Sequence, residues 1–210
     1  MRLIHWVLAA LLAPLVLGES RAEVALPPIL SDHMVLQRDM KVPIWGTAAP
    51  EEAVKVSFAG QSKTATADKE GRWRVDLDPL KASAEPRELT IVGSSTITLK
   101  DVLVGEVWLG SGQSNMDMAL MEYPGVKAAA DSVADNPQIR FCGWKESDKI
   151  QGTKLTGWFV FDKDAAQHCS AMMFFFGAHL QKELKVPVGL IPRAPARSPP
   201  CPCLRHAVMG

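Results

Sequence analysis

The sequence predicts an α/β protein: a small N-terminal β-sandwich followed by the first part of a parallel-sheet domain. Three observations lead there. Short apolar runs with a period of two fill residues 24 to 100. Strand and helix patterns then alternate from residue 101 to 191. A glycine-rich loop, GSGQS, stands where the first of these later strands meets a helix.

The β part is read from short runs between turn signals: Met34 to Gln37, Val42 to Gly46, Ala53 to Ala59, Gly71 to Leu77, Leu89 to Val92 and Thr96 to Leu99. Val54, Val56 and Phe58 alternate, so they share one strand face. Gly60-Gln61 and Lys69-Glu70-Gly71 read as hairpin turns. Strands this closely spaced favour a sandwich. Trp45 and Trp73 are expected in its core, with ligand stacking as the alternative.

In the second part, Val102 to Leu109 is a dense apolar strand. Residues 110–114 form a loop, and a helix starts at Asn115. A second helix, Val126 to Ala134, stops at Asn136-Pro137. Ile139 to Gly143 is a strand. Ser170 caps a helix from Ala171 to Lys185, in which Met173, Phe176, Leu180 and Leu184 are expected to face the core. Val186 to Ile191 is the third parallel strand.

The ends differ from the middle. Residues 1–22 read as an export signal: Arg2, an apolar run from Leu3 to Gly18, then Ser20, Arg21 and Ala22 as a small-x-Ala cleavage site. The alternative is a membrane anchor, but the run is short of the roughly 20 residues a span requires. The expected location is therefore the periplasm or the exterior, with no membrane attachment after cleavage. Residues 192–210 hold five of the 15 prolines and no acidic residue, and read as irregular coil.

Composition excludes some classes. With 23 basic and 23 acidic residues the formal charge is zero, so a nucleic-acid partner lacks electrostatic support. Cys142, Cys169, Cys201 and Cys203 follow neither a zinc pattern nor a disulfide framework. Cys142 and Cys169 read as buried apolar residues.

Ser114 is the candidate catalytic residue. It lies just past a parallel strand, where open α/β sheets bind ligands. A following helix would add unpaired N–H groups and positive potential for an oxyanion. Gly110 and Gly112 are expected to permit a tight turn and close approach of substrate. From the residues alone, Ser114 also reads as an ordinary turn or cap serine. Met116 occupies the place of the second glycine of a G-x-S-x-G elbow.

Longer motifs narrow the choice. LPPILSDHMVLQR at residues 26–38, VPIWG, GRW, LTI, DVLVGEVWLGSGQSNM and FFFGAHLQKELKVPVGLI resemble the sialate O-acetylesterase family of SGNH hydrolases. The resemblance covers about residues 24 to 191. It implies removal of acetyl groups from sialic acids or plant polysaccharides, without a cofactor. It implies that Ser114 is the nucleophile, with Gly112 and Gln113 shaping the turn. The Ser114 backbone N–H would serve the oxyanion, and Asn115 would hold the loop.

After VPVGLI the family's Ser/Trp/Gly-rich loop, its asparagine donor and its Asp-x-x-His pair have no counterpart here. The residue three before His206 is Cys203, not aspartate. The general base is thus expected to be absent from this chain, and the switch after Ile191 reads as a frame shift or early stop. His33, His168 and His179 read as structural or surface residues. The alternative function is an inactive fragment whose β-sandwich binds carbohydrate or a partner.

Overall fold

A computed structural model describes residues 23–112, 116, 118, 120, 136–144, 155–162 and 169–193. In chain order its elements are β1 (Val35–Gln37), β2 (Val42–Thr47), β3 (Ala53–Phe58), β4 (Gln61–Thr66), β5 (Arg72–Leu77), β6 (Ser83–Val92), β7 (Thr96–Ser111), β8 (Ile139–Trp144), β9 (Leu155–Val160), α1 (Ala171–Leu184) and β10 (Val188–Arg193). The result is a mixed α/β architecture, mostly strands. One sheet runs β4–β3–β6–β7–β10–β8–β9, with β1 also paired to β7; β2 and β5 form a second sheet.

Alternation decides which faces meet. On β3, Val54, Val56 and Phe58 are buried and Ala53 and Lys55 are exposed. On β5, Trp73, Val75 and Leu77 are buried while Arg72, Arg74 and Asp76 reach solvent. These inward faces share one apolar cluster with Ile44 of β2 and with Leu89 and Ile91 of β6. Trp73 is in this core as expected, and Trp45 packs against it half-buried. Glu52, itself buried, holds two turns there by accepting from the backbone N–H groups of Ala49 and Ser94.

Of the two expected hairpin turns, one forms a hairpin. Ala59 and Gly60 both have positive φ, 48° and 79°, joining β3 to β4 with Phe58 opposite Gln61. Positive φ at both central positions suits the twist of paired strands. Lys69-Glu70-Gly71 instead joins β4 to β5, which lie in different sheets. The Asp68 carboxylate shapes that corner by accepting from Glu70 N–H and Arg72 N–H. Arg72 holds the carboxyl of Asp68 below its usual value through the same contacts.

β7 is longer than its sequence suggests. The charged pair Lys100-Asp101 divides two apolar runs, yet the strand continues through it from Thr96 to Ser111. Residues 100 and 101, where the sequence pattern changes, lie within this strand. It pairs antiparallel with β6 over its first half. It then pairs parallel with β1 at Leu103 to Gly105 and with β10 at Glu106 to Ser111. β10 lies between β7 and β8 and is parallel to both. The three expected parallel strands are therefore present; β9 is antiparallel to β8.

Ser170 caps α1, its hydroxyl accepting from Met173 N–H, and Lys185 closes the helix in the left-handed conformation. The core-facing stripe is the expected one only in part: Met173 is buried and Leu180 packs half-buried against the second apolar cluster. Ala171, Met173, Phe174 and Gly177 are buried, whereas Phe176 and Leu184 are exposed. Small residues decide this. A Cβ at Gly177 would stand 2.5 Å from Leu190 Cδ1, so the glycine lets the helix settle onto β10. Phe174 stacks on Phe161 at 4.4 Å between ring centroids in the second apolar cluster.

Residues 192 and 193, expected in coil, are instead the end of a strand. Pro192 and Arg193 belong to β10 and pair with Gly110 and Ser111. Cys142 and Cys169 are buried free thiols, as expected. Burial pushes the Cys142 thiol up to about 12. Burial, and secondarily the charge of Asp162, raises that of Cys169. Residues 1–22, the two helices expected from Asn115 and at Val126 to Ala134, and residues 194–210 lie outside the described residues.

Candidate active site

β7 and β10 end side by side, with Gly110 opposite Pro192 and Ser111 opposite Arg193. This is the C-terminal edge of the parallel strands, where open α/β sheets place their ligands. Gly110 and Ser111, expected in the loop, are the last residues of the strand. The role of Gly110 is also different from the expected one. A Cβ there would lie 2.1 Å from Met173 Sδ, so the glycine lets α1 pack closely on the strand end. A Cβ on Gly112 would meet only Met116, 3.4 Å away at its Cβ. Gln113, Ser114 and Asn115 lie outside the described residues.

The chain beyond the loop passes the start of α1. Ala171 N–H donates to Met118 O at 3.0 Å, and Leu120 N–H to Cys169 O at 2.9 Å. The capped N-terminus of α1 therefore borders the segment that follows Ser114. Trp108, 42% exposed, stands on the strand just before Gly110 and meets Phe176 edge-on at 5.2 Å.

A histidine paired with a carboxylate exists elsewhere. His33 Nδ1 is 2.7 Å from Asp101 Oδ2. Arg140 grips the same carboxylate with Nη1 at 2.6 Å and Nη2 at 3.1 Å. Its Nε donates to Pro137 O at 2.8 Å, which completes the satisfaction of a side chain only 3% exposed. Burial raises the Asp101 carboxyl, but hydrogen bonds from Arg140 and His33 outweigh it and leave the carboxyl below its usual value. His33 and Asp101 both sit at positive φ, 66° and 55°. His33 N–H donates to Lys100 O and Lys100 N–H to Asp32 Oδ1, locking the two corners together.

This dyad is at the wrong end of the strand to serve the loop. Asp101 precedes Ser111 by ten residues of β7, about 33 Å at the usual strand rise. The structural role expected for His33 thus has a concrete form: an ion-paired corner. His179 is exposed on α1, and His168 and His206 lie outside the described residues. Among the described residues no three His, Cys, Asp or Glu side chains converge as a metal site.

Sequence reading missed this network because its members are 33, 101 and 140 in the chain. The available signal was a histidine and an aspartate each at a turn between apolar runs, which gave no hint of their pairing.

No family model matches the chain. It is 30% identical to the sialate O-acetylesterase of Mus musculus over 187 residues, covering 77% of this chain and 34% of that protein. With the human sialate O-acetylesterase the identity is 30% over 185 residues, covering 77% and 35%. Among solved structures, a carbohydrate acetylesterase from Xanthomonas citri matches with a TM-score of 0.71 and 33% identity, covering 80% of this chain and 39% of the other. The chain spans about a third of the length of the curated relatives it matches. Sequence and structure agree that most of this chain is similar to a part of the sialate and carbohydrate O-acetylesterases.

Proposed function

We propose that this chain carries the nucleophile-bearing part of a serine esterase that removes acetyl groups from carbohydrate hydroxyls. The observation that carries the reading is the C-terminal edge formed by β7 and β10. Gly112 follows the strand end there, and residues 118 and 120 lie against the N-terminus of α1. The acetylesterase relatives support the substrate class.

In this reading Ser114 Oγ attacks the acetyl carbonyl carbon. The carbonyl oxygen takes the negative charge, and backbone N–H groups of the loop, that of Ser114 among them, stabilise it. The sugar hydroxyl leaves with a proton, giving an acetyl-serine ester. Water then attacks that ester and releases acetate. Gly112 and Gln113 shape the turn and Asn115 holds it. The two facing sheets before residue 100, joined by one core, support a small β-sandwich preceding an SGNH-type domain. The apolar leader at residues 1–22 supports export.

A second reading follows from one observation. Among the described residues, the imidazole with a carboxylate partner is held at Asp101, ten residues of β7 before Ser111, and a serine needs a base within hydrogen-bond reach. That favours a chain without turnover of its own, whose β unit binds carbohydrate or a partner.

Labelling with a fluorophosphonate ester separates the two. Phosphonylation mapped to Ser114 by peptide mass supports an activated nucleophile. No labelling of Ser114 beyond that of other serines leaves the binding reading.

A further inference from the structure

α1 is apolar around more of its circumference than its packing uses. Opposite its buried face, Met172, Phe175 and Phe176 follow one another at three and four residues, 51%, 42% and 40% exposed. Trp108 of β7 stands against Phe176 and extends this surface onto the sheet, while Leu109, also exposed, points from the opposite sheet face. The neighbouring edge of β7 is open as well. β1 covers it to Gly105, and Gln37 Oε1 accepts from Val107 N–H at 2.8 Å. Beyond that, at Leu109 and Ser111, no described strand pairs with this edge. A helix that is apolar all round is ordinarily enclosed. An open apolar strand edge is a template for a further strand.

We propose that this face seats a polypeptide equivalent to the portion of the acetylesterase relatives outside the region this chain matches. The inference rests on the reading under Proposed function. The apolar surface states that something covers it, and two observations name the occupant. The relatives carry about twice as much chain outside the match as within it, since the match takes 34% of one and 39% of another. The face also adjoins the end of β7 that leads to Ser114, so a layer seated there borders the candidate site. A second copy of this chain would bring no residue to that site that the first lacks.

The test is coexpression of the full chain with the unmatched portion of the Xanthomonas citri acetylesterase, the latter bearing an affinity tag. The expected result is a one-to-one complex by light scattering, with a blue shift of tryptophan emission as Trp108 is covered. Phe175→Asp and Met172→Lys, both on the exposed stripe, should each weaken the complex at least about tenfold while keeping the chain's own melting transition. Ser114→Ala should leave assembly unchanged. Assembly without Ser114-dependent hydrolysis would therefore sink the proposed function and leave this inference standing. Recovery of the tagged portion without the chain would overturn the inference. So would a homodimer broken by Phe175→Asp that the added portion does not displace.

Discussion

Asp101 and Arg140 are joined by two hydrogen bonds although they belong to β7 and β8, strands that β10 keeps apart. The guanidinium thereby ties the first parallel strand to the third beneath the strand between them. Since β7 also runs back into the N-terminal sheets, this one contact links the two parts of the chain.

Arg140→Met should therefore destabilise the fold by about 2–3 kcal/mol, the range for a charged hydrogen-bonding group lost from a mostly buried site. Asp101 retains some solvent, which keeps the cost below that of a fully buried pair. A lowered urea midpoint with unchanged slope is the measurement.

The pH dependence of that tie has a defined sign. Asp101 titrates lower in the folded chain than in the unfolded one. Its contribution is thus present above the ordinary carboxylate range and is lost as pH falls through the depressed folded value. Asp101→Asn is the informative comparison, because asparagine tolerates the positive φ at this position. The wild type should be the more stable at pH 7, and the gap should close below about pH 4. A gap constant down to pH 2 would contradict the assignment.

Two glycines should respond oppositely to alanine. At Gly105 a Cβ would lie 1.9 Å from Pro187 O, a backbone atom held by the Glu106 N–H hydrogen bond. Gly105→Ala should cost about 2–3 kcal/mol or more, because neither strand can yield without losing its ladder. Gly112→Ala meets only an ordinary contact and should change stability by less than about 0.5 kcal/mol. Thermal melts of the two variants decide it.

The thiols of Cys142 and Cys169 should resist alkylation by iodoacetamide at pH 8 until the chain is unfolded. Both are buried, and burial disfavours the reactive thiolate. Peptide mass spectrometry resolves them from Cys201 and Cys203.

Legibility in the sequence followed the physics of each element. β3 and β5 were readable because one face is solvated and the other buried, which writes a period of two into the residues. β4, with QSKTAT, has no apolar face to read and is a strand because β3 pairs with it. β9 was likewise missed; Gly157, at φ 98°, interrupts its pattern. The continuity of β7 was hidden by Lys100-Asp101; the Asp101 carboxylate is answered by Arg140, far away in the chain. The face of α1 was misjudged at Phe176 and Leu184, because glycine and alanine, not the largest side chains, mark close packing against β10. At the candidate site, the strand end and the capped helix beside it were legible from local pattern. That Gly110 serves packing was not, since Met173 is distant in sequence.

The most direct measurement of the central claim is acetate release from O-acetylated sialic acid and from acetylated xylo-oligosaccharide by the chain and by its Ser114→Ala variant. The account predicts turnover that the variant loses, by up to roughly a millionfold where the full machinery is assembled. Equal rates for the two proteins, with the chain folded and the relatives' remaining portion bound, would contradict it.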